Sequence, residues 1–165
     1  MPENKLDLWT KDRNMIFIDV SEDGKTFDWA RIGKSTVYDL ALNPNVKTVD
    51  YIENAMPQDE VSNYQPELPN ELATYGGDKA FDFMFNLYLN LPTGTALNRK
   101  VLLVYPENTG TDTAPEFVSW LTDTTIVLNN YNPVDQKLTF TIKINGIELG
   151  TCTVTDGQPS FTKAE

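Results

Sequence analysis

The sequence predicts a mainly β fold of the α+β class, a β-sandwich or partly open barrel with one flanking α-helix. Segments in which apolar and polar residues alternate recur along most of the chain, and this period of two is that of a half-buried strand. Clusters of Gly, Pro, Asn and Asp separate these segments and predict turns. Only one stretch carries apolar residues at helical spacing. We therefore expect about eight to ten strands and one helix.

The length predicts one domain over residues 1–165. A chain of 165 residues buries roughly 70% of the surface that its unfolded form exposes, and no change in composition marks a second domain. Residues 1–13, polar apart from Leu6, Leu8 and Trp9, are predicted to form an N-terminal arm with an apolar anchor. No apolar run is long enough for a signal peptide or a bilayer span, so neither is expected.

The first half of the chain predicts four strands and then a long loop. The strands are expected at residues 15–20, 26–33, 36–42 and 46–52, with turns at 21–24 and 43–45. Residues 53–75 hold three prolines and five acidic residues but no Lys or Arg, and they show no period. A structureless stretch of this length is either disordered or a functional loop.

One helix is predicted after Asp78, a favourable N-cap, and it ends before Pro92 and Gly94. Five apolar residues share one face at helical spacing: Ala80, Phe81, Met84, Phe85 and Tyr88. This face favours core packing over a cofactor site. Further strands are expected at residues 101–105, 117–121 and 125–128, with a loop at 106–115 and a turn at 129–133.

The C-terminal part predicts a β-hairpin. Residues 137–144 and 147–154 alternate, and Asn145 with Gly146 between them is typical of a two-residue type I′ turn. This register places Lys143 opposite Glu148 as a charge pair. One face of the hairpin is apolar, and the other carries Thr139, Thr141, Lys143 and Glu148. Asp156 and Gly157 predict a second turn, and Cys152, the only cysteine, is expected to be a packed thiol.

Charge and composition argue against several classes of function. The net charge is −11, which would repel nucleic-acid phosphates and anionic membranes. The chain has no histidine, which excludes Ser-His-Asp catalysis and histidine metal sites. No phosphate-binding or nucleophile motif is found, and we expect neither enzymatic activity nor a cofactor. Among 24 acidic residues a carboxylate pair for glycoside hydrolysis has no specificity.

Several motifs, in their order along the chain, resemble those of the major tail protein, or tail tube protein, of long-tailed, siphovirus-like bacteriophages. They are residues 27–33 (FDWARIG), 48–52 (TVDYI) and 60–66 (EVSNYQP), Gly77 with Asp78 at the helix start, and 144–146 (ING), Gly150 with Thr151, 155–157 (TDG) and 159–161 (PSF) near the end. The resemblance covers most of the chain from Phe27 onward.

This resemblance implies a structural virion protein of the tail, assembled in the host cytoplasm. Six copies would form a ring, and stacked rings would form a tube through which genome DNA passes without tight binding. The implied partners are other copies of the chain and the tape measure, tail tip and tail terminator proteins; no membrane is implied. Residues 53–75 match the loop that reaches a neighbouring subunit, with Asp59, Glu60, Tyr64, Pro66 and Leu68 as the expected contacts.

A tube lumen that lets DNA slide should not hold phosphates, and we predict that Thr139, Thr141, Lys143 and Glu148 face it. The alternative is a β-sandwich module that binds carbohydrate or protein, with an exposed aromatic patch and no tubes. Trp9, Trp29 and Trp120 could stack against a sugar, although burial in a core or an interface is the commoner role of such residues.

Overall fold

The computed structural model describes residues 6–22 and 24–165. The described residues form nine strands, one α-helix and two short 3₁₀ turns, at Lys11–Arg13 and Gly94–Leu97. The strands are β1 (Met15–Asp19), β2 (Trp29–Arg31), β3 (Pro44–Val49), β4 (Gln58–Tyr64), β5 (Glu67–Ala73), β6 (Asn98–Asn108), β7 (Phe117–Asn132), β8 (Lys137–Thr155) and β9 (Gln158–Lys163), and the helix is α1 (Lys79–Asn90).

Seven strands form one antiparallel sheet, six of them in the order β2-β1-β6-β7-β8-β5, with β9 as a seventh that also pairs with β8. The long strand β8 pairs with β7 on one side, and on its other side it pairs first with β5 and then with β9. The sheet curls so that its two ends approach, because the chain that follows β2 hydrogen-bonds to β5 at the other end, where the Ala73 N–H donates to the Lys34 carbonyl. A mainly β, nearly closed barrel with one helix is thereby confirmed.

The prediction of a hairpin turn at Asn145 and Gly146 is wrong, because β8 runs straight through both residues. Strand β7 is 16 residues long and forms a ladder along nearly the whole of β8. Asn145 is the extra residue of a bulge in that ladder, since Gly146 lies opposite Asp123 and Ile144 opposite Thr124. The long-range ladder therefore overrides the local turn signal.

The continuity of β8 also changes which charges meet. Lys143 forms a salt bridge with Glu67 on β5, and Glu148 lies 4.0 Å from the Lys163 ammonium on β9. The predicted Lys143–Glu148 pair is therefore wrong. The turn at Asp156 and Gly157 is confirmed, because both residues have positive φ and they join β8 to β9.

Residues 53–75 are not a structureless loop, since they contain β4 and β5. Buried and half-exposed residues alternate along β5, and Leu68, Asn70 and Leu72 are fully buried. Pro69 is tolerated because the backbone of the odd-numbered residues in β5 faces outward, where Glu67 bonds with Ala41 instead of β8. Residues 36–42, predicted as a strand, make only irregular contacts along this edge.

Helix α1 begins after Asp78 as predicted and ends at Leu91, whose backbone is left-handed. Its buried residues are Ala80, Phe81, Met84 and Leu87. They pack on one face of the sheet against Leu138, Phe140 and Ile142 of β8. The rings of the partly buried Phe85 and Tyr88 pack at a tilt against Tyr131 at the end of β7. The helix therefore covers one face of the sheet, named here the helix face.

Other predicted element boundaries differ from those in the structure because the strands are longer than expected. Residues 117–121 and 125–128 belong to the single strand β7, and the predicted turn at 129–133 shifts to 133–136, where Gln136 has positive φ. The predicted N-terminal segment, residues 1–13, and the predicted turn at residues 21–24 lie partly outside the described residues. Cys152 is buried as predicted, and its burial raises the pKa of the thiol.

Candidate functional site: a projecting arm and an open polar face

Strands β3 and β4 form a two-stranded sheet separate from the main sheet. This hairpin, residues 44–64, is named the arm. Every residue of β4 is exposed, and so is every residue of β3 except the half-buried Val49. A lone two-stranded hairpin is marginal in water. With about 3.3 Å per residue, the arm projects roughly 20 Å.

The tip of the arm is apolar and acidic. A turn closes it where the Asn54 N–H donates to the Tyr51 carbonyl at 3.0 Å. Ile52 in this turn is fully exposed, and Tyr51 and Met56 are also exposed. Asp50 and Glu53 flank the apolar pair of Tyr51 and Ile52. The tip therefore combines apolar side chains with two carboxylates.

The stem of the arm has one apolar side. Val46 pairs with Val61 and Pro44 with Tyr64, so these side chains share a face. Their exposure is large: 54% for Val46, 51% for Val61 and 57% for Tyr64. Such a side is typical of a surface that another chain covers.

The residues predicted to reach a neighbour divide between the arm and the body. Asp59, Glu60 and Tyr64 lie on β4, and the Thr48 hydroxyl donates to Asp59 at 2.7 Å. Pro66 is buried at the base of the arm, and Leu68 is fully buried under the sheet. The Leu68 side chain thus packs in its own core and offers no surface to a neighbour.

The side of the sheet opposite the helix is only partly covered. At one end the cluster of Phe17, Trp29 and Phe161 fills it. Toward the other end it is open, and this open face carries Glu67 and Glu71 on β5, Thr125 and Val127 on β7, and Thr139, Thr141 and Lys143 on β8. Glu148 lies on the same side beyond the bulge. The four residues predicted to line a lumen therefore share the side away from α1.

Four lysines on this side are each paired with a carboxylate on a neighbouring strand. The pairs are Lys137–Glu71 at 3.0 Å, Lys143–Glu67, Lys100–Asp123, and Lys163–Glu148 at 4.0 Å. Hydrogen bonds from the lysines lower the pKa of Glu67 and of Glu71, and the positive charge adds to the effect. The carboxylates stay ionised near neutral pH, so they offset the lysine charges.

The edge strands of the main sheet differ in whether another segment of the chain hydrogen-bonds along their outer side. Residues 34–41 run along β5, where the Thr36 N–H donates to the Glu71 carbonyl and the Ala73 N–H donates to the Lys34 carbonyl, at 3.0 and 2.9 Å. Strands β2 and β9 have no further strand beside them among the described residues. Pro159 lies in β9, as is usual for an edge strand.

Other chemistry is sparse. The three tryptophans do not share a surface, because Trp29 is buried, Trp120 packs edge-on against Tyr105, and Trp9 lies in the exposed N-terminal segment. Across residues 6–22 and 24–165, no three Cys, Asp or Glu side chains group as metal ligands would. No helix in the described part of the chain has the length and apolarity to cross a membrane.

Sequence reasoning predicted the first strand of the arm, since β3 overlaps the strand expected at residues 46–52. It missed β4, because every residue of that strand is exposed and its apolar residues show no period. The spacing of Leu68 and Leu72 in β5 was the available signal for the adjoining strand. The two prolines near them obscured it.

A scan against protein-family models finds no match, and a search of curated proteins finds none either. A search of solved structures finds a chain of the cryo-EM structure of the anti-feeding prophage baseplate, symmetrised six-fold. It is 10% identical, covers 88% of this chain and 97% of the other chain, and has a TM-score of 0.46. A similarity of this size carries no argument about function.

Proposed function

We propose that this chain is the structural subunit of a phage tail tube, in which six copies form a ring and stacked rings conduct genome DNA. Its partners would be other copies of the same chain and the tape measure, tail tip and tail terminator proteins of the same particle. The observation that carries the proposal is the arm, whose Val46, Val61 and Tyr64 are each more than half exposed. In a stack of rings, a neighbouring copy would cover them.

The borders of the sheet support assembly within a ring. The outer edges of β2 and β9 present backbone donors and acceptors that no further described strand pairs. A ring of subunits that closes a barrel across its interfaces would remove such edges. Because the surfaces that meet would differ, the contact is head-to-tail, and such contacts close into rings or extend as filaments.

The open face supports the role of a channel wall. DNA-binding proteins hold phosphates with Lys and Arg side chains, whereas the four lysines on this side each face a carboxylate. Thr139 and Thr141 between them are polar and uncharged. A lumen lined in this way would be wet and would let DNA pass with little binding.

Electron microscopy of the purified, concentrated protein tests the proposal. We expect tubes built of six-fold rings, alone or after addition of tail tip complexes to start assembly. A variant in which Asn-Gly replaces residues 47–60 keeps the Val46–Val61 pair as the last pair before a two-residue turn. It should keep the melting temperature of the wild type, since the arm adds nothing to the main sheet, and should form no tubes.

A chain that stays monomeric at high concentration and with tail tip complexes would contradict the proposal. Tubes formed equally well by the shortened variant would show that the arm has no part in assembly. A stable monomer that binds a glycan or a protein ligand through exposed aromatic residues would favour the binding-module alternative.

A further inference from the structure

A groove of about 580 Å³ lies between the N-terminal segment and the chain that follows β2. Lys11, Asp12 and Asn14 line one side, and Arg31, Val37 and Tyr38 line the other. The volume falls in the range of about 300–1,000 Å³ that holds small ligands, so two or three side chains of a turn would fit. The groove is open to solvent, and Tyr38 is half-exposed.

The charge of this groove differs from that of the whole chain. Lys11 and Arg31 face a single carboxylate, Asp12, so the lining is net positive in a chain of net charge −11. The Arg31 guanidinium donates to the Asp12 backbone carbonyl at 3.3 Å. Because a carbonyl carries no net charge, this hydrogen bond does not neutralise Arg31. Most other strand and helix lysines already pair with carboxylates, as Lys79 does with Asp28.

The arm tip has the opposite properties. Asp50 and Glu53 bring two negative charges, and Tyr51 and Ile52 between them bring exposed apolar surface. The groove offers the apolar side chains of Val37 and Tyr38, and the adjoining N-terminal segment adds the half-exposed Trp9. The two surfaces therefore match in charge and in apolar character.

We propose that the arm tip of one copy, with Tyr51 and Ile52, inserts into the groove between Lys11 and Arg31 of a second copy. This inference rests on the proposed self-assembly and assigns its receptor surface. Asp50 and Glu53 lie against Lys11 and Arg31 in this contact. Because tip and groove are different surfaces of one chain, each copy gives one contact and receives another, so the contact propagates along a filament.

Charge reversal at each surface tests the contact. The tip variant is Asp50→Lys/Glu53→Lys, and the groove variant is Lys11→Glu/Arg31→Glu. Each should raise the protein concentration needed for tube formation about tenfold, because attraction becomes repulsion at two ion pairs. A 1:1 mixture of the two variants, and separately a chain that carries all four substitutions, should restore assembly, since opposite charges then meet again.

The matched control for the tip variant is Asp112→Lys/Glu165→Lys, which makes the same change in net charge at exposed positions outside the tip and the groove lining. It should assemble as the wild type does. Thermal unfolding of every variant should match the wild type, which excludes misfolding as the cause of lost assembly. The wild type should also need more protein to assemble in 0.5 M salt, because screening weakens exposed ion pairs.

The outcomes separate the inference from the proposed function. If the wild type forms tubes and neither reversal changes the required concentration, or if the mixture and the four-fold variant stay unassembled, the tip-to-groove contact is refuted and the tail-tube proposal stands. If the wild type forms no tubes under any condition, both fall. Restored assembly in the mixture and in the four-fold variant supports the contact.

Discussion

The arm and the main sheet are both antiparallel β-structure, yet they differ in almost every physical respect. In the main sheet, buried side chains form a hydrophobic cluster on each face. Strand β8, which is 19 residues long, is paired on both sides over most of its length. In the arm, two strands pair only with each other, and their side chains are exposed. One region is stabilised within its own chain, and the other has its apolar surface left uncovered.

This difference indicates that the main sheet provides the stability of the fold and that the arm provides surface for contact with another chain. Burial of apolar area stabilises the body at roughly 25 cal/mol per Å², so we expect the stability of the fold to depend on the body. The arm gains little from such burial, and its exposed Val46, Val61 and Ile52 remain available for another surface. Substitutions in the two regions should therefore affect different measurements, stability in the body and assembly in the arm.

The largest expected effect on stability is in the body. Phe140 is fully buried between the sheet and α1, so Phe140→Ala should lower the free energy of unfolding by about 3–5 kcal/mol. Val61→Ala in the arm should change it by less than about 0.5 kcal/mol. Denaturant unfolding of the monomer measures both values. Equal losses for the two variants would show that the arm is an integral part of the folded body.

A middle-sized effect is expected where the backbone of β9 comes close to β8. A Cβ on Gly150 would lie 2.2 Å from the Thr162 carbonyl oxygen and 2.6 Å from the Phe161 ring. Gly150→Ala should therefore destabilise by about 1–3 kcal/mol, because β9 must shift. Gly76→Ala is the matched control, since a Cβ there meets nothing within 4 Å. Unfolding midpoints that agree for the two variants would contradict this close approach.

The smallest effect concerns pH. The pKa of Glu67 and that of Glu71 are lowered from 4.5 by hydrogen bonds from Lys143 and Lys137. A lowered folded-state pKa stabilises the protein above the unfolded pKa, and this contribution is lost as pH falls below 4.5 through the folded value. The double variant Glu67→Gln/Glu71→Gln should melt slightly below the wild type at pH 7, and the two should converge in acid. A difference that persists unchanged at pH 3 would contradict the pairing.

Particular residues explain which predictions were right. The helix after Asp78 and the turn at Asp156 and Gly157 were predictable, because each signal lies within a few residues of the structure that it specifies. Asn145 and Gly146 carry an equally strong turn signal, but the ladder between β7 and β8 absorbs them as a bulge. The stretch that contains β4 and β5 gave no period, since one strand is exposed on both faces and the other holds a proline.

The open face likewise has some features that the local sequence pattern predicts and others that depend on tertiary contacts. That Thr139, Thr141 and Lys143 share a polar face follows from alternation along one strand, which the sequence shows directly. Their location on the side away from α1 depends on where the helix packs. The partners of the lysines come from other strands, so the pairing of Lys143 with Glu67 could not be read from the local pattern.

By itself, the sequence determined the mainly β class, the single long helix, the acidic charge and the lack of histidine chemistry, because composition and short-range periodicity encode these properties. The tertiary structure alone decided that β8 is continuous, that each lysine on the open side meets a carboxylate, and that the arm stands apart from the sheet. These features depend on contacts between residues far apart in the chain, and the free energy of a long ladder exceeds that of a local turn preference.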